Sequence, residues 1–286
     1  MSSTTAITIN ANAAPRTSNV NCGELLSIAV ISLVCNALLS TIVMGFVTDG
    51  ILYSLANTFE ISAIVWIGLY IGLQYLKNSH SRNNTWIERV LVLVLFVFCI
   101  LPLGPFTWVI ISGTAIYLIC SAVDAASFRA RGGWILLGVT VPMFWSKRLF
   151  NLFSEFLLSI DAMLVSSITR TERISNLVVM PGNRGYLQIA APCSSMANVS
   201  LAILCWVVFT QTKNAPWRVA NLLWCSLACL FVIAINTTRI ALIGFFPERY
   251  ELIHGPVGST IVSWITLTVV VCTCYFGVSH ATRKSI

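Results

Sequence analysis

Charge is what this chain has least of. Only 9% of its 286 residues are Asp, Glu, Lys or Arg, against roughly 25% in a soluble domain. That excludes a water-soluble globule, and the mean hydropathy of +0.85 agrees. Histidine is scarcer still, with three in the whole chain. Cysteine is plentiful at ten, yet no zinc-type Cys-x-x-Cys pair occurs. Cys225 with Cys229, and Cys272 with Cys274, sit in apolar runs without a neighbouring histidine and read as core packing. No metal or cofactor is expected. Alternating segments of about ten residues, the mark of a membrane barrel, are also missing. Residues 1–22 are rich in Ser, Thr, Ala and Asn and have no apolar h-region. They read as a disordered tail, not as a cleavable signal peptide.

What is there is apolar sequence in long stretches. Several runs approach the roughly 20 residues that cross about 30 Å of hydrocarbon. In lipid every backbone polar group needs an internal partner, which leaves helices. The expected fold is all-α: one integral-membrane domain over residues 23–286, a bundle of about eight spans. The spans run Leu25 to Val47, Glu60 to Leu76, Trp86 to Leu103 and Phe106 to Val123. A short fifth starts at Gly133 and stops before Lys147 and Arg148. The last three are Ser195 to Thr210, Val219 to Ile240 and Ser259 to Val278.

Net charge is +7. In a soluble chain that would point to nucleic acid; here basic residues flank spans and set orientation, so no nucleic-acid partner is expected. Lys77 and Arg82, Arg129 and Arg131, Lys213 and Arg218, then Arg283 and Lys284 follow alternate spans. Those loops are expected in the cytoplasm with both termini, as in a multi-pass protein of the cell (inner) membrane. The loop after the fifth span breaks the pattern with Arg170, Arg173 and Arg184, but long loops cross largely regardless of charge. Within it, Arg148 to Val165 repeats Leu and Phe at helical spacing and suits an interfacial amphipathic helix. Asn176 to Ala190 places two β-prone runs around Pro-Gly-Asn, a hairpin pattern.

One cysteine stands apart. Cys193 lies at a span boundary, after Pro192 and before Ser194 and Ser195. The expected topology puts it at the outer end of the sixth span, with Arg239 towards the outer end of the seventh. His254 falls just before the eighth, on the same side, whereas His80 and His280 fall on the other. Each has a plain reading: a packed thiol, an arginine reaching for the interface, a loop histidine. Together they suit acyl transfer. A thiol attacks a carbonyl only as thiolate, and a helix start favours the anion. An imidazole can take the proton and return it to a leaving amine. A guanidinium can hold an oxyanion or a peptide carbonyl. Asn236, one helical turn before Arg239, is placed to steady the guanidinium.

Three motifs in order, "APCSS" at Ala191 to Ser195, "NTTRI" at Asn236 to Ile240 and "HGPVG" at His254 to Gly258, resemble those of the exosortase and archaeosortase family. The resemblance covers Gly185 to the C-terminus; the N-terminal half matches only as apolar spans. It implies a membrane cysteine protease or transpeptidase with Cys193 as nucleophile. Arg239 would serve the oxyanion or position substrate, and His254 would be the general acid and base. Ser194, Ser195, Asn236, Gly255 and Gly258 would support them. The implied partners are exported proteins carrying a C-terminal sorting motif, a membrane helix and a basic tail, with an acceptor still to be identified. Family members often work beside exopolysaccharide production. Ser195 departs from the pattern, which has glycine there, so a reshaped pocket is expected. Two other readings stay open: a transporter with an outward-facing anion site at Arg239, and a non-catalytic membrane scaffold.

Overall fold

The computed structural model describes residues 22–79 and 86–283. The expected N-terminal tail lies outside the described residues except for Cys22, and so do His80, Arg82 and Lys284. The chain begins with α1 (Cys22–Thr48), the short α2 (Ile51–Ala56), α3 (Ala63–Lys77), α4 (Trp86–Ile100) and α5 (Thr107–Cys120). Then come α6 (Phe128–Thr140), a π-turn (Val141–Trp145) and α7 (Ser146–Thr169). Three short strands follow: β1 (Arg173–Ile174), β2 (Leu177–Val179) and β3 (Tyr186–Gln188). The chain closes with α8 (Met196–Thr212), α9 (Val219–Phe245), the short α10 (Tyr250–His254) and α11 (Pro256–Arg283).

The protein is thus a helical bundle with one small sheet. Among the described residues five helical segments are long and apolar enough to cross a membrane: Cys22–Thr48, Phe128–Thr169, Ala191–Thr212, Val219–Phe245 and Pro256–His280. Helices α3, α4 and α5 fall where three further spans are expected but hold 15, 15 and 14 residues. At 1.5 Å per residue each reaches only about 21–23 Å. Pro102 and Pro105 punctuate the sequence between α4 and α5, because proline lacks the donor that would continue a helix.

The largest departure from expectation is at the fifth span. It does not stop before Lys147. It runs through a π-turn containing Pro142 into α7, making one segment of 42 residues. A missing N–H is what a π-turn accommodates without ending the helix. So long a helix would measure about 63 Å, twice the hydrocarbon thickness, so it cannot all cross. Its backbone breaks at Phe153 (φ −119°, ψ 24°). Beyond the break Asp161, Ala162, Val165 and Thr169 are buried on one face, while Phe156, Met163 and Ile168 are exposed.

Helix α6 is the hub. Ile135 joins one apolar core, with residues of α8, α9 and α11, whereas Leu136 and Val139 join another with α1, α3, α4 and α5. Close approach is made by glycine: a Cβ on Gly133 would stand 2.9 Å from the Ala115 carbonyl oxygen, as expected where helices associate through small residues. Two arginines pin the start of α6. Arg129 pairs with Glu88 at 2.9 Å. Arg131 donates to the Gln211 and Thr212 carbonyls at 2.7 and 3.2 Å and lies over the Tyr75 ring at 4.5 Å. It thereby satisfies carbonyls that α8 leaves open at its C-terminal end.

Candidate active site

The expected hairpin forms and leads straight to Cys193. β2 and β3 pair antiparallel, with Leu177 opposite Gln188 and Val179 opposite Tyr186. β1 adds a third strand on the far side of β2, leaving β3 at an edge. Gly182 (φ 77°) and Gly185 (φ 115°) supply the left-handed turns of the loop. Asn176 donates from Nδ2 to the Ile189 carbonyl at 3.0 Å, and Arg184 from Nη2 to that of Phe245 at 2.9 Å. These bonds fasten the hairpin to itself and to the end of α9.

After β3 the chain makes a 3-10 turn over Ala191–Cys193 and only then enters α8. Cys193 therefore precedes the helix, where the sequence placed it at the helix start. Proline at the second position of that turn fits its fixed φ. Ser194 accepts the Met196 amide at 3.3 Å, a local cap on an otherwise open donor.

Three stretches of chain converge at this end of the bundle. Cys193 Sγ lies 4.0 Å from His254 Nε2. The imidazole is stacked on Tyr250, with ring centroids 4.9 Å apart and planes 9° from parallel. Arg239, near the end of α9, donates from Nε to the Ile253 carbonyl and from Nη2 to that of His254, each at 3.3 Å. Glycine makes the turn after His254 possible. A Cβ on Gly255 would collide with the Glu251 carbonyl, and one on Gly258 with those of Leu252 and Ile253. Cys193, His254, Arg239, Asn236 and Tyr250 share a small cavity of about 60 Å³ with Leu187 and Gln188 of β3 and apolar neighbours. That is room for a couple of waters or a carbonyl group.

Two supporting residues act differently from expectation. Asn236 donates from Nδ2 to the Cys193 carbonyl at 2.7 Å and to Ser195 Oγ at 3.0 Å. It steadies the cysteine's segment, where the sequence pointed to the guanidinium. Ser195 is 4% exposed and does not line the cavity. Its hydroxyl donates to Asp161 Oδ1 at 3.0 Å and its amide to Oδ2 at 3.3 Å. The serine hydroxyl serves a buried hydrogen-bond chain: Asp161, Ser195, Asn236, then the Cys193 carbonyl.

Sequence reasoning missed Asp161 and Tyr250. Asp161 reads as one polar position in an amphipathic helix, yet it is 6% exposed. A carboxylate on the buried face, rather than the wet one, was the available signal. Tyr250 stands one helical turn before His254, a spacing that brings side chains together. Asp161→Ala should leave the Ser195 amide and hydroxyl without their acceptor. That should lower stability by about 1–3 kcal/mol, read as an earlier thermal unfolding transition in detergent.

The arrangement offers a thiol, a nearby imidazole and a guanidinium that spends two of its donors on the turn carrying that imidazole. The described residues contain no group of His, Cys, Asp and Glu placed to hold a metal ion. No family model, curated protein or solved structure matches the chain. Any functional reading therefore stands on geometry and on the motifs themselves.

Proposed function

We propose that this protein is a membrane cysteine protease or transpeptidase of the exosortase kind, acting on exported proteins at the non-cytoplasmic face. The supporting observation is the 4.0 Å approach of Cys193 Sγ to His254 Nε2, made by segments 61 residues apart in sequence. Catalytic hydrogen bonds commonly tighten only when substrate binds.

In this reading Cys193 gives its proton to His254 and its sulfur attacks the scissile carbonyl. The tetrahedral intermediate collapses, the C–N bond breaks, and His254 returns the proton to the leaving amine. The acyl group stays on sulfur as a thioester. Water or an acceptor amine then gives a proton to His254 and attacks that carbonyl; the C–S bond breaks, Cys193 leaves as thiolate, and the proton on His254 restores the thiol. Arg239 holds the His254 turn in place through two backbone carbonyls. Arg239→Lys cannot reproduce that fork, so processing should fall by about 10–100-fold, read as cleaved product per unit time.

Orientation follows from where the basic residues sit. Arg131 is bonded to the far end of α8, about 25 Å along the helix from the Cys193 end. Lys77, Arg129, Lys213 and Arg218 flank helices at that same end. Short basic loops stay in the cytoplasm, which supports a position of Cys193 on the other side. Helices α3, α4 and α5 would complete eight crossings, with local bilayer thinning at their ends. An anion site at Arg239 is the rival reading; the two donors committed to the chain's own carbonyls argue against it.

The test is capture of the acyl-enzyme. The protein is incubated with an exported protein from the same cell that ends in an apolar helix and a basic tail, then digested and mapped by mass spectrometry. A hydroxylamine-sensitive adduct on Cys193 is expected. An adduct on another of the ten cysteines, or none while processing proceeds, ends the proposal.

A further inference from the structure

A second and larger cavity, of about 530 Å³, opens beside the candidate site between the α2–α3 turn, α8 and the first half of α11. Arg239 lines both this cavity and the small one that holds Cys193. Arg239 is the residue through which the two cavities adjoin. The volume falls within the roughly 300–1,000 Å³ of ligand pockets.

Its lining is rich in polar side chains. Ser259, Ser263 and Thr266 bring hydroxyls to the cavity from a helix long and apolar enough to span a membrane. Asn198 faces them from α8, and Asn57 and Glu60 from the turn before α3. Ser259 donates to the Pro256 carbonyl. The side chains of Asn198, Ser263, Thr266 and Glu60 make no hydrogen bond or ion pair with the described residues. The turn carrying Glu60 is itself strained: Thr58, Phe59 and Glu60 have φ of 51°, 55° and 59°. Left-handed backbone costs roughly 1–2 kcal/mol for each such residue. It persists where neighbours over-determine it, here the Phe46 ring, whose centroid is 5.3 Å from that of Phe59.

We propose that this cavity receives the stretch of substrate polypeptide that follows the scissile bond, in extended rather than helical form. The inference rests on the peptidase reading and adds to it a place for the leaving half of the chain. An extended peptide at membrane depth has donors and acceptors that lipid cannot satisfy. Hydroxyl and amide side chains distributed along a groove can. From Ser259 to Thr266 the hydroxyls cover about 10 Å, the length of about three extended residues. A lipid would need polar partners at its head alone and apolar walls below, whereas here polar groups recur down the wall. The scissile carbonyl would sit at Cys193, and the chain would pass Arg239 into the groove.

Photocrosslinking in the full-length protein tests this directly. A benzoylphenylalanine placed at Trp264, an exposed aromatic residue that lines the cavity, is combined with Cys193→Ala, so that the substrate stays whole, and the captured residues are mapped. Capture of substrate residues after the cleavage site is expected. Capture of lipid only, or only of residues before the site, overturns the proposal. In parallel, Ser263→Leu with Thr266→Leu fills the groove and removes its hydroxyls. KM should rise at least tenfold while small alkylating agents label Cys193 at the normal rate, which reports that the site is folded. Unchanged KM overturns the proposal; Thr266→Val, which keeps the shape and loses only the hydroxyl, should give a smaller rise. If processing survives Cys193→Ala, the peptidase reading falls, while the crosslinks still report what the groove holds.

Discussion

Cys193→Ala should abolish processing, with a fall of at least about a thousandfold, while the protein still inserts into the membrane. In the proposed chemistry the acyl group is carried on the sulfur, so its loss removes the pathway and does not merely slow it. Insertion should be spared because the segment is held by other atoms: Asn236 bonds the backbone carbonyl of residue 193, not its side chain, and Ser195 is anchored on Asp161. Cys193→Ser keeps an attacking atom but a poorer one, and traces of activity are expected. The measurement is the ratio of cleaved to uncleaved substrate, with membrane extraction as the control for insertion. Full activity in Cys193→Ala would remove the nucleophile and the proposed chemistry with it.

The second large effect is expected at His254. Replacing it with alanine should reduce processing by about 10²–10⁴-fold, the usual contribution of a positioned acid and base. The fold should tolerate the change. Arg239 reaches this turn through the carbonyls of Ile253 and His254, which alanine keeps, and the close backbone contacts belong to Gly255 and Gly258. The informative comparison is with alkylation of Cys193. A small reagent still reaches the sulfur in His254→Ala, so slower alkylation together with lost processing identifies loss of the proton acceptor. Processing that continues unchanged would leave the thiol without a partner and return Cys193 to the status of a packed cysteine.

The two effects differ in origin, and so does their legibility. Cys193, Arg239 and His254 could be singled out because each is the wrong residue for its place: a thiol at a boundary, a charge inside a span, a histidine in a chain with three. Hydropathy alone then placed them at one end of the bundle, since alternate helix ends share a side. The hairpin was legible too, from Pro181, Gly182 and Asn183 between two β-prone runs. The amphipathic character of α7 was legible, but its continuity with α6 was not. Two basic residues, Lys147 and Arg148, read as an end, and only packing decides that a π-turn will carry the helix onward. Asn236 illustrates the same limit. Its spacing from Arg239 is a true neighbour relation along α9, yet its amide is used across a gap to another segment.

By itself the sequence determined that apolar helices dominate, where most of them lie, and which side chains are chemically out of place. Those follow from local physics: hydrocarbon thickness, backbone pairing in lipid and helical periodicity. The tertiary structure decided which of those side chains meet. It set Asp161, buried on α7, under Ser195. It set the guanidinium of Arg239 on the turn that carries His254, and Arg239 in the lining of two cavities. Such relations depend on how far each helix is rotated and shifted against the next. Only the packing of the whole bundle fixes those angles and offsets, because no short stretch of chain contains the partner it will touch.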